Sequence, residues 1–92
     1  MEITIVFTTQ LKAALGSGQL TLSIDKDTTV RQVIESVAAD HPDAFSRLVF
    51  DSDGNLLSSI LLCVNDQQVD ADRSEPLADG DTLTLLSAIS GG

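Results

Sequence analysis

Asp79-Gly80-Asp81-Thr82-Leu83-Thr84-Leu85-Leu86-Ser87 reads as a tight turn that runs straight into a strand. Asp-Gly-Asp is turn chemistry, because glycine takes a positive φ that a Cβ would oppose. The alternation that follows turns Leu83 and Leu85 inward and Leu86 outward. The other clean alternation lies at the opposite end of the chain, where Ile3, Ile5 and Phe7 interleave with Glu2, Thr4, Val6 and Thr8. Two strands with a strict period of two suit central places in a sheet.

Working outward, Leu11, Ala14 and Leu15 stand at helical spacing before Gly16 and predict a short turn of helix or a loop. Leu20, Leu22 and Ile24 alternate with polar residues, which predicts a second strand over residues 19–25, antiparallel to the first. Thr29 with Gln32 three residues later forms a capping box. Val30, Val33, Ile34, Val37 and Ala38 then form one apolar stripe at period 3.6, the clearest helix in the chain. Pro42 ends it, since the residue before a proline is pushed out of helical dihedrals. Residues 43–50 suggest a short second helix. Asp51-Ser52-Asp53-Gly54-Asn55 is a turn, Ile60–Val64 a dense strand, and Asn65-Asp66 a tight turn into a short strand over residues 67–70. The order is ββα, then three more strands, of which the middle one is short. One amphipathic helix covers one sheet face, so the class is α+β with an open second face.

The chain has 92 residues, 42% of them apolar, enough for one domain with a modest core. That core is aliphatic, because there are three Phe and no Trp or Tyr. Fourteen acidic residues against five basic ones give a formal charge of −9. Such a surface opposes nucleic acid, which needs cations to displace counterions, and anionic membrane equally. No apolar run is long enough to span a bilayer. A single cysteine makes no internal disulfide. These features point to the cytoplasm.

Catalytic and metal constellations are missing from the sequence. His41 is the lone histidine and has no second ligand near it, so no metal site is expected. The turn beginning at Asp51 resembles a calcium loop only faintly: its glycine is fourth rather than sixth, and Leu62 stands where a bidentate Glu is needed. Gly16-Ser17-Gly18 lacks the lysine of a phosphate loop. Cys63 reads first as a small buried hydrophobe, with a thiol in a docking patch as the alternative. If Leu62 and Val64 face the helix, Leu61 and Cys63 face the open side, together with Val6 and Leu86. That would make a small apolar patch leading into the residues after the final strand.

Those residues are Ala88-Ile89-Ser90-Gly91-Gly92, without charge or period, and read as an extended tail behind a domain of residues 1–87. The opening Ile5-Val6-Phe7, the Val64-Asn65-Asp66 hairpin, the Asp79-Gly80-Asp81 turn and the Gly91-Gly92 end together resemble the ThiS/MoaD superfamily of ubiquitin-like sulfur carriers. The likeness spans the whole chain. The insert at residues 51–59 is nearer to the cysteine-type carriers than to the molybdopterin synthase small subunit. Leu86-Ser87-Ala88 replaces the aromatic-Pro-Pro of that subunit, and Thr8 and Gln68 are polar where several relatives are apolar.

The resemblance implies a β-grasp fold: a mixed four- to five-stranded sheet with one main helix on one face. It also implies that the chain is a carrier rather than an enzyme, with no cofactor of its own. Gly92 would be the modified residue, its carboxylate adenylated by a ubiquitin-activating-type adenylyltransferase that uses ATP and Mg, then converted to a thiocarboxylate. Ala88, Ile89, Ser90 and Gly91 would thread the partner's channel, and Val6, Leu61, Cys63 and Leu86 would form the docking face. The further partners would be a sulfurtransferase or sulfide source and a sulfur-accepting synthase. A modifier joined through Gly92 to lysines uses the same adenylate, and a plain interaction module with an inert tail is the third alternative. The pathway stays open among molybdenum or tungsten cofactor, thiamine, cysteine and a specialised metabolite.

Overall fold

Alternating residues become strands in a computed structural model, which describes residues 1–8, 11–13, 16, 18–41, 44–57 and 59–87. The strands are β1 (Glu2–Phe7), β2 (Gln19–Ser23), β3 (Ile60–Val64), β4 (Gln67–Val69) and β5 (Thr82–Ser87); the helices named here are α1 (Val30–Asp40) and α2 (Ala44–Val49). Residues 11–13 are helical as well. Gln10, Ala14, Leu15, Pro42 and Asp43, which the sequence placed in or beside helices, lie outside the described residues.

The sheet order is β2-β1-β5-β3-β4, so β5 is central and β1 sits beside it. β1 and β5 run parallel, with Thr4 opposite Thr82 and Phe7 opposite Leu85. The other pairings are antiparallel: β1 with β2, β3 with β5, and β3 with β4. A parallel pair at the centre requires a long crossover, and the segment carrying α1 supplies it.

α1 starts where the sequence says it should. Thr29 Oγ1 accepts the Gln32 N–H at 3.3 Å, and Gln32 Oε1 accepts the Thr29 N–H at 2.9 Å. The helix closes at His41, whose N–H is shared by the Val37 and Ala38 carbonyls. Val30, Val33, Ile34 and Val37 are buried, and Ala38 is half-buried at the margin of the stripe. They pack on Ile3, Ile5, Phe7, Ile60, Leu62, Val64, Leu83 and Leu85. Phe45 of α2 is fully buried and meets Phe7 edge to face, with ring centroids 5.8 Å apart. Leu77 caps this core, and its N–H donates to the Thr28 carbonyl just ahead of α1.

Three boundaries fall short of the sequence reading. β1 stops at Phe7, β2 at Ser23 and β4 at Val69. Leu20, Leu22 and Ile24 are only half-buried, because β2 is an edge strand and α1 covers the sheet beyond it incompletely.

Burial of the aliphatic face is the main stabilising term. Each fully buried side chain of this size contributes roughly 1.5–3 kcal/mol. The ion pairs among the described residues (Arg31 with Glu35 and Asp72, Arg73 with Glu75) lie at 3.4–3.9 Å on the surface, where such pairs are worth at most about 1 kcal/mol. The helix cap is of comparable size but acts at a fixed place. Replacing Thr29 by Ala removes the side chain that accepts the Gln32 N–H. It should lower stability by about 1 kcal/mol, read as a lower urea midpoint with an unchanged denaturant slope.

Candidate functional site

The turn ahead of β5 fixes where that strand begins. The Gly80 N–H donates to the Glu2 carbonyl at 2.7 Å, and the Glu2 N–H donates to Asp79 Oδ1 at 2.8 Å. Gly80 has φ +85°, which a residue with a Cβ adopts only with strain. Asp81 Oδ2 accepts the Ala78 N–H, and Asp81 Oδ1 accepts Asn65 Nδ2 at 3.1 Å. Asn65 Oδ1 in turn accepts the Thr82 N–H, and its own N–H donates to the Thr82 carbonyl. The turn is therefore bonded to the start of β1 on one side and to the β3–β4 turn on the other. Glu2, Asp66, Asp79 and Asp81 gather at this end of the sheet. β5 runs away from them and ends with Ser87 at the opposite end of the sheet.

On the open face, Leu86 of β5 stands directly opposite Leu61 of β3. Thr84 stands opposite both Cys63 on β3 and Val6 on β1. The structure thus brings together Val6, Leu61, Cys63 and Leu86, the residues the sequence placed on one patch. It also changes the shape of that patch. Thr84 sits between Val6 and Cys63, so the apolar group bends around a hydroxyl rather than forming a continuous row. The alternation of β5 carried the signal for Thr84, which shares its side of the strand with Leu86. Leu61 is 37% exposed, the most open large apolar side chain of the described strands. Val6, Cys63 and Leu86 are each half-buried, so the thiol is a partly exposed member of the patch rather than a core residue.

Polar neighbours frame the patch. Gln68 lies beside Cys63 on β4, and Gln19 lies beside Val6 on β2. Thr8, just past β1, donates its hydroxyl to the Leu85 carbonyl at 3.3 Å, which ties the chain leaving β1 to the last residues of β5. Ala88, Ile89, Ser90, Gly91 and Gly92 lie outside the described residues, so the face is described up to Ser87.

Elsewhere, among the described residues, the surface is built of structural contacts rather than a cluster of reactive groups. A concavity of about 470 Å³ lies beside β3 and β4, with Arg31, Leu57, Leu61, Val69 and Asp72 among its walls. Its one cation, Arg31, is already engaged with the Gly54 carbonyl, Glu35 and Asp72. Among the described residues, no three His, Cys, Asp or Glu side chains gather to hold a metal ion. Asp51, first residue of the calcium-like turn, accepts the N–H groups of Asp53 and Asn55 through Oδ1 and so serves its own turn.

A mixed sheet ordered β2-β1-β5-β3-β4, with parallel strands at its centre and one helix across one face, is the β-grasp of the ubiquitin-like proteins. Comparison with known proteins narrows this. The model of the ThiS family matches residues 5–92, and the chain belongs to that family. Small archaeal modifier protein 1 of Haloferax volcanii is 34% identical over 82 residues, covering 89% of this chain and 91% of the relative. The crystal structure of SAMP1 from Haloferax volcanii superposes with a TM-score of 0.89 at 28% identity, over 100% of both chains. A chain of the Amycolatopsis orientalis BexX/CysO complex superposes with a TM-score of 0.68 at 33% identity, over 98% of this chain and 99% of that one.

The clamp around Asp81 is testable by comparing neighbours. Asp81→Ala leaves the Asn65 amide and the Ala78 N–H without their acceptor and should cost about 1–2 kcal/mol. Asp66→Ala, an exposed acid at the same end, should stay within about 0.5 kcal/mol of the parent. Paired urea titrations check both.

Proposed function

We propose that the chain is a sulfur carrier and that its reacting group is the α-carboxylate of Gly92. The observation that carries this reading is the Leu61–Leu86 pair, an apolar contact on the open face of a ThiS-family domain, one residue before β5 ends. A partner that covers this pair receives the residues after Ser87 at its own edge. Gly91 and Gly92 have no Cβ, so they suit a channel too narrow for side chains.

A carboxylate is a poor electrophile because its negative charge is spread over the acyl oxygens. The activating partner supplies Mg and ATP. The Gly92 carboxylate oxygen attacks the α-phosphorus, pyrophosphate leaves, and the acyl carbon now carries AMP as a leaving group. Sulfide or a sulfurtransferase-derived equivalent attacks that carbon, AMP departs, and a thiocarboxylate remains. Its sulfur is a good nucleophile for a sulfur-accepting synthase. On this reading the chain is a cytoplasmic substrate and carrier, and the nucleotide and the catalytic groups belong to its partners. The relative found as a BexX/CysO complex supports a domain that acts through a partner.

A second reading is supported by the relative named as a small archaeal modifier protein. There the same acyl adenylate passes to a lysine amine of a target protein, and an isopeptide bond replaces the thiocarboxylate.

Incubation with a cognate activating enzyme, ATP and sulfide should raise the intact mass by the exchange of one oxygen for sulfur at Gly92. Absence of that gain across the activating enzymes of the source cell would overturn the first reading, whereas lysines of cellular proteins carrying the Ser74–Gly92 remnant that trypsin leaves after Arg73 would establish the second. Leu61→Asp and Leu86→Asp should each weaken binding to the activating enzyme at least about tenfold, close to 1.4 kcal/mol. The circular dichroism melt of Leu61→Asp should move little, because that side chain is exposed.

A further inference from the structure

The two edges of the sheet are built differently. β4 has three residues and is fenced by Asp66, Asp70 and Asp72, carboxylates that discourage a second strand from pairing there. β2 has five residues, and no charged residue or proline occurs anywhere in residues 16–24. In a chain of net charge −9 this is a long neutral edge. It lacks the charges and prolines that usually protect such an edge.

The hydrogen bonds show which groups that edge presents. Ile24 donates to the Met1 carbonyl at 2.7 Å and accepts from the Met1 amine, and the Gly18 carbonyl accepts the Phe7 N–H at 2.9 Å. Residues 18 and 24, and those in phase with them, therefore turn their backbone groups toward β1. Thr21 and Ser23 turn theirs the other way, where no strand stands among the described residues. On the helix side of the same edge, Leu20, Leu22 and Ile24 are half-buried. A shallow groove between Leu22, Ile24 and Ser36 of α1 marks the gap that α1 leaves open.

We infer that this edge pairs with the same edge of a second copy of the chain. Antiparallel pairing about a two-fold axis at Leu22 lets Thr21 and Ser23 of each copy exchange hydrogen bonds with Ser23 and Thr21 of the other. Leu22 then meets its own counterpart, and Leu20 meets Ile24 of the other copy on both sides of the axis. The pattern Leu20-Thr21-Leu22-Ser23-Ile24 is symmetric about its centre in apolar character, as an isologous interface requires. Charge at the ends of the pairing is mixed: Lys12, whose stem lies against Gly18, comes near both Asp25 and Lys26 of the other copy. Elsewhere two copies of so acidic a chain repel. The sheet becomes continuous across both copies, the open faces share one side, and the two β5 strands end at opposite extremities. The Leu61–Leu86 contact stays uncovered, so the pairing is independent of the carrier reading.

Cross-linking tests this directly. Leu22→Cys in a Cys63→Ser background places two thiols across the axis in a non-hydrogen-bonded pair, a geometry that accepts a disulfide. Under mild oxidation it should form the covalent dimer at least tenfold faster than Val69→Cys in the same background, which puts a thiol on the other edge at similar burial. Sedimentation equilibrium of the unaltered chain should show the mass rising from 9.7 kDa toward twice that value with concentration. Thr21→Pro removes an outward N–H and should return it to monomer. Should that variant fail to fold, the cross-linking comparison still decides. Monomer mass at every concentration, equal cross-linking at the two edges, or cross-linking of Leu22→Cys only to a different protein each overturns the inference.

Discussion

The register of β5 between β1 and β3 is the constraint on which the rest of the molecule depends. Leu83 and Leu85 are fully buried beneath α1, while Leu86 looks out on the other face. A slip of one residue would exchange these roles and turn the core pair into solvent. Apolar packing resists such a slip, but it does not choose the register alone, since leucines follow one another at 85 and 86. The choice is reinforced by the turn at Asp79-Gly80-Asp81, whose backbone and carboxylates are bonded to Glu2, Ala78 and Asn65. These bonds act at the end of the strand where the acids gather. Their effect is felt at the other end, where the same register sets Leu86 against Leu61.

Core and open face are thus two readings of one alternation. The helix side is uniformly apolar, aliphatic apart from Phe7 and Phe45, with no buried polar or charged residue among those described. The open side mixes Val6, Leu61, Cys63 and Leu86 with threonine and glutamine. An aliphatic face without polar partners is a driving force for folding with little directional demand, and the hydrogen-bonded turns provide the direction. The open face offers less apolar area and more hydrogen-bonding groups. That composition suits a contact that forms and releases, which the proposed carrier role would call for.

Much of this was legible in the sequence because it rests on periodicity and on turn chemistry. The capping box at Thr29 and Gln32, the stripe from Val30 to Val37, and the inward set of β1 and β5 could each be read from residue spacing alone. The gathering of Val6, Leu61, Cys63 and Leu86 on one face followed from the same alternation. What spacing could not supply was lateral position. Nothing in Leu20-Thr21-Leu22 tells an edge strand from a central one, so the half-exposure of those leucines came from the sheet order. Thr84 was overlooked at the middle of the patch for a related reason: its neighbours on both sides come from β1 and β3, far away in sequence. The clamp between Asn65 and Asp81 joins two turns that each looked complete by itself.

The parallel pairing of β1 with β5 has a further consequence, in time rather than in space. Thr4 pairs with Thr82, a separation of 78 residues obtained as 82 minus 4, and the same offset holds from Phe7 to Leu85. Contacts so distant in sequence form late and slowly, because the loop between them must close before any energy returns. During synthesis β1 emerges early and waits with its flank open until β5 follows. The Leu61–Leu86 contact does not exist until then. On the proposed function, a partner that recognises this contact would pass over unfinished chains, so the fold itself would serve as a checkpoint for molecules carried through to their final strand.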